Sequence, residues 1–184
     1  MNRLDFEIIR NVIAAPKDTS MILDVPMVLD VGCENGELLK FLNKRKEIDG
    51  RGLEISQKNV NKCVKHGLSV VQGDADKDLI AYPSKSFDFV ILSQTLQATH
   101  SPEKVLSQLV RISKYAIVSF PNFGSWQVRL KLLINGIMPQ SKSLPYTWYT
   151  TPNIHLCTIK DFKKLCEKNS IKIVKSFYLN KYGK

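Results

Sequence analysis

Five short runs rich in β-branched and apolar residues alternate with helical stripes along the first 120 residues, and this alternation limits the possible folds more than any other feature. The first run, 27–31, follows Pro26 and stops at Gly32, and residues 36–46 then put Leu38, Leu39, Phe41 and Leu42 on one helical side. Further strand patterns occupy 50–55, 68–72, 87–93 and 115–120. Between them, 57–66 reads as a helix stopped by Gly67, and 102–113 as a helix capped by Ser101 with Pro102 and Glu103 in its first turn. Strands joined through helices pair in parallel by right-handed crossovers, so the expected architecture is α/β: a doubly wound, mostly parallel, Rossmann-like sheet in a single domain.

The flanks are less regular. A helix is expected over 4–14, ending before Pro16. After Phe120 the rhythm breaks: 126–134 is helical in pattern, 135–158 contains Pro139, Pro145 and Pro152, a helix starts at Thr158 and runs to about Asn169, and alternation over 171–179 predicts a final strand. A stretch of more than about twenty residues without its own elements is uncommon in a compact domain and more often functional than idle. Together with Trp126, it holds Tyr146, Trp148 and Tyr149, which either cover the core or form a lid or contact surface. The expected division is a cofactor-binding core at 27–120, an aromatic insertion at 121–158 and a C-terminal helix and strand at 159–184.

Charge is unevenly placed. Residues 101–184 carry fourteen basic and three acidic side chains, whereas 27–100 carry ten of each, so the net +10 resides almost wholly in the C-terminal part. That suits an acidic partner or substrate; RNA ranks a distant third among the functional readings, because the first hundred residues are neutral overall. The longest apolar stretches run four or five residues, far short of the roughly 20 that cross a bilayer, and acidic residues interrupt the N-terminus where a signal peptide would need an apolar run. A cytoplasmic protein without membrane contact is expected. The four cysteines form no Cys-x-x-Cys pair, and His155, Cys157 and Cys166 match no ordinary ligand spacing, so no metal site is expected.

Asp30-Val31-Gly32-Cys33-Glu34-Asn35-Gly36 lies where the first strand turns into a helix, the position at which doubly wound sheets bind ligands. Its glycines are spaced Gly-x-x-x-Gly, which is neither the dinucleotide pyrophosphate fingerprint nor a P-loop. Glu54 ends the second strand, 24 residues after Asp30, where a carboxylate can accept ribose hydroxyls, and Asp74 follows the third strand, where it can meet an adenine amino group. These residues outline an adenosine pocket without phosphates, which fits S-adenosylmethionine or S-adenosylhomocysteine. The candidate cofactor-binding set is Asp30, Gly32, Cys33, Gly36, Glu54, Ile55, Asp74, Ala75 and Ser93. No catalytic residue is assigned: Ser93 is not in a Gly-x-Ser-x-Gly elbow, His100 and His155 read as structural hydrogen bonders, and His66 reads as a helix C-terminal residue.

Asp-x-Gly-Cys-x-x-Gly, the acidic end of strand two and Gly73-Asp74 resemble the class I S-adenosylmethionine methyltransferase fold over about 27–120. More narrowly, Ile91-Leu-Ser-Gln-Thr-Leu-Gln-Ala-Thr99, Ile117-Val-Ser-Phe-Pro-Asn-Phe-Gly124, Leu144-Pro-Tyr-Thr-Trp-Tyr149 and Thr151-Pro-Asn-Ile-His-Leu-Cys-Thr-Ile-Lys-Asp-Phe162 resemble the methionine biosynthesis protein MetW family. That resemblance implies a partner or activator of homoserine O-acyltransferase that binds S-adenosylmethionine. The alternative is an active methyltransferase on a small molecule. One departure stands out: Glu34 occupies a position where the methyltransferase pattern has glycine, adding bulk and negative charge beside the expected ligand carboxylate.

Overall fold

The computed structural model describes residues 3–14, 25–44, 48–141 and 144–179. Among them five strands, β1 (Met27–Val31), β2 (Asp49–Glu54), β3 (Ser69–Gln72), β4 (Phe87–Ser93) and β5 (Ser113–Ser119), form one all-parallel sheet in the order β3-β2-β1-β4-β5. Strand order reverses between β1 and β4, so the carboxyl ends of these strands border the crevice where such sheets take ligands. Among the described residues six α-helices accompany the sheet: α1 (Arg3–Ile13), α2 (Glu37–Asn43), α3 (Gln57–Lys65), α4 (Pro102–Ile112), α5 (Trp126–Asn135) and α6 (Ile159–Lys168). The expected doubly wound α/β fold is the observed one, with boundaries differing by a residue or two at most termini; the predicted tail of α2, residues 45–46, lies outside the described residues.

Alternation along the strands sorts the core into two layers. Val28, Phe89 and Ile91 pack with Phe6, Ile9, Leu38, Leu39 and Leu42, whereas Leu29, Val31, Val90 and Leu92 pack with Leu79, Val105, Leu109 and Ile112 on the other face. Burial of both faces explains why these strands read as apolar runs.

Two expectations are corrected. Residues 171–179 form no strand: they run without regular structure, and Val174 is 73% exposed. An alternating pattern needs a neighbouring backbone to bond with, and among the described residues β5 pairs with β4 alone. The second correction concerns α4. Ser101 occupies its N-cap position but its side chain makes no capping bond; the carboxylate of Asp76 instead accepts from the His100 and Ser101 amides, each at 2.8 Å. Asp76 thereby fixes the two amides that precede the helix, a contact across 24 and 25 residues that the local sequence around α4 does not announce. Among the described residues no helix is long and apolar enough to cross a membrane.

Candidate functional site

The ends of β1 and β2 bring Asp30, Gly32, Cys33, Glu34, Gly36 and Glu54 together. After Val31 the chain turns through Gly32, at φ +73°, whose amide bonds the Leu53 carbonyl at 2.8 Å. A Cβ on Gly32 would stand 2.7 Å from Thr95 Oγ1, so only glycine lets the segment after β4 approach this loop. Gly36, at φ +71°, opens α2. Between them Glu34 takes φ +48°, a left-handed conformation that glycine adopts freely and glutamate does not. Its side chain is exposed, not folded into the loop.

Glu54 is the loop's anchor. Only 5% exposed, it accepts the Glu34 amide at 2.9 Å on Oε2, and on Oε1 the Ser56 amide at 2.9 Å and Asn59 Nδ2 at 3.4 Å. Two backbone donors are thereby satisfied, and α3 begins without a side-chain bond from Ser56. Asp30 differs. It is 3% exposed, and no hydrogen bond to its carboxylate occurs among the described residues. Burial, and then the charges of Glu34 and Glu54, push its pKa up to about 7. Among the described residues no cationic side chain pairs with it.

The remaining candidates are spread along the same sheet edge. Ile55 is 65% exposed beside Glu54. Asp74 follows β3, with its carboxylate held by the Asp76 amide at 2.9 Å and Lys77 Nζ at 3.0 Å; burial opposes ionisation, but these contacts outweigh it and keep the group below its usual range. Ala75 lines a cavity of about 260 Å³ that lies away from Asp30 and Glu54, between Leu79 and α4. Ser93 meets Ser119 across β4 and β5, Oγ to Oγ, at 2.9 Å. Cys33 and Cys63 are both buried, and burial pushes both thiols up, so neither is a nucleophile at neutral pH.

Sequence reading missed Gln94 and Gln97. Gln94 follows β4 at φ +56°, and its carbonyl accepts Gln97 Nε2 at 2.6 Å. The Gln97 carbonyl in turn accepts the amides of Ile154 at 2.8 Å and His155 at 3.0 Å, tying the proline-rich segment to the site's border. Neither residue type announces such a role. The aromatic segment does not cover the core: Trp126, Trp148 and Tyr149 are 70%, 75% and 71% exposed.

Glu34→Gly is expected to raise stability by about 0.5–1 kcal/mol, because relief of the left-handed conformation exceeds the added unfolded-chain entropy. Urea midpoints of the two proteins measure it.

A parallel sheet with its glycine turn after β1 and carboxylates ending β1 and β2 defines the class I methyltransferase fold. A SAM-dependent methyltransferase from Archaeoglobus fulgidus superposes with a TM-score of 0.63 at 22% identity, covering 90% of this chain and 66% of that one. The plantazolicin methyltransferase BpumL, in complex with a pentazolic desmethylPZN analog and SAH, gives 0.65 at 18% identity, covering 91% and 62%. At such identities the likeness is one of fold. Residues 3–184 match the family Methionine biosynthesis protein MetW, and the chain belongs to that family. The bifunctional methionine biosynthesis protein MetXA/MetW of Rhodopirellula baltica is 34% identical over 147 residues, 75% of this chain; the chain spans 24% of that relative's length.

Proposed function

We propose that this protein is an accessory subunit for homoserine O-acyltransferase in methionine biosynthesis and binds S-adenosylmethionine or S-adenosylhomocysteine at the β1–β2 edge. The observation that carries the partnership is the bifunctional MetXA/MetW relative, whose single chain joins a MetW part to a MetXA part. Tethering raises the effective concentration of two modules and is most useful where they act in contact.

The residues fit the cofactor. Asp30, buried and without a hydrogen bond to its carboxylate among the described residues, suits the cationic end of the ligand. Glu54 is engaged by backbone amides, yet a carboxylate has about four acceptor sites, leaving capacity for ribose hydroxyls. Ile55 offers an exposed apolar face to adenine, and Asp74 an acceptor for its amino group. S-adenosylmethionine supplies a sulfonium methyl group; orientation is the main demand of its transfer, so the absence of an assigned base weighs little.

Two measurements test this. Adding the protein to the acyltransferase should raise acyl transfer to homoserine, and the pair should copurify; an acyltransferase with unchanged activity and no association would overturn the partnership. Glu54→Ala should weaken S-adenosylhomocysteine about tenfold or more in calorimetry, since charge-assisted hydrogen bonds contribute roughly 1.5–3 kcal/mol. Unchanged affinity removes Glu54 from the ribose site, whereas a methyl acceptor found in a screen would favour the small-molecule methyltransferase.

A further inference from the structure

Helix α5 is closed at both ends by its own sequence. Ser125 Oγ accepts the Val128 amide at 3.5 Å, and Gly136, left-handed at φ +62°, donates its amide to the Leu132 carbonyl at 2.9 Å. A helix so bounded is a finished element. Within it only Val128 is buried. Trp126, Leu130, Leu133 and Ile134 fall at i, i+4, i+7 and i+8, one stripe of a 3.6-residue period, on the side opposite Val128. They are 70%, 45%, 83% and 69% exposed, and Ile137, one turn beyond Leu133, is 66% exposed. The helix therefore carries its wide apolar stripe away from its own domain, which for a water-soluble surface marks a contact.

The charges around the stripe identify what covers it. Arg129 and Lys131 flank it, and residues 121–158 contain three basic side chains and no acidic one. A second copy of the chain docking by two-fold symmetry would place this stripe against itself, cation against cation, in a molecule of net charge +10. A lipid surface is the weaker alternative, because ten residues with two cations give little electrostatic attraction. We infer that the outward stripe of α5 docks into an apolar groove rimmed by carboxylates on a separate protein. Resting on the reading above, that protein is the acyltransferase, and the binding mode is a helix laid in a groove.

The test uses the full chain with the acyltransferase, by calorimetry at low and physiological salt. Leu133→Asp, at a position 83% exposed, should weaken association at least tenfold while the melting temperature holds; Ile134→Gln is the second variant should Leu133→Asp fold poorly. Wild-type binding that both variants retain would overturn the α5 surface and leave the partnership standing. No wild-type binding would overturn the partnership and this inference with it. A wild-type dimer that Leu133→Asp dissociates, or binding to anionic phosphatidylserine vesicles that Leu133→Asp abolishes, would replace the acidic groove with a second copy or a membrane.

Discussion

Asp30→Asn is expected to be more stable than the wild type at pH 8 by about 2–4 kcal/mol, an advantage that disappears at pH 4. The carboxyl pKa rises from 3.8 to about 7 on folding, a shift of about 3 units at 1.36 kcal/mol each, with burial as the main cause. Below pH 4 the group is protonated in both states and contributes nothing. Between pH 4 and 7 the native state holds a proton that the unfolded chain has released, so wild-type stability falls as pH rises; above 7 the full penalty applies. Asparagine removes the charge but leaves a buried amide, which places the gain below the 4 kcal/mol ceiling. Urea unfolding of both proteins at pH 4, 6 and 8 measures the effect, and parallel pH profiles would exonerate Asp30. The penalty also has a functional side. A cationic ligand relieves it, so such a ligand should stabilise the wild type more than Asp30→Asn.

Gly36→Val should cost about 2–5 kcal/mol and lower the urea midpoint accordingly. Part of the loss, about 1–2 kcal/mol, comes from forcing a side chain into the left-handed region at φ +71°. The rest, about 1–3 kcal/mol, comes from overpacking, because the new Cβ meets the Leu68 side chain and lies 3.0 Å from Cys63 Sγ. Gly67→Ala separates the two contributions: at φ +72° with nothing within 4 Å, it should lose only the conformational part. Equal losses at the two positions would show that the core beneath Gly36 yields.

The candidate site was only partly legible. Acidic residues at strand ends and the Gly-x-x-x-Gly turn are local features, and Asp30, Gly32, Gly36 and Glu54 indeed converge at the ends of β1 and β2. The engagement of Glu54 with the Glu34 amide, 20 residues away, is not local and had no signal in the sequence. The same is true of the Gln97 carbonyl that holds Ile154 and His155. Glu34 shows the opposite limit: its misfit with the methyltransferase pattern was visible, whereas the outward direction of its side chain was not.

By itself the sequence determined the order and type of nearly every element, because hydrophobic period reports which side chains leave water, and Gly67 and Gly136 mark helix ends through their own φ angles. Tertiary structure alone decided three matters. Asp76, distant in sequence, holds the His100 and Ser101 amides just ahead of α4, where the Ser101 side chain makes no capping bond; 171–179 stays irregular because no strand pairs with it among the described residues; and α5 turns its wider apolar stripe outward. Hydrogen-bond partners, strand neighbours and the side of a helix that meets the core depend on which segments fold against one another, and periodicity along the chain carries no record of that.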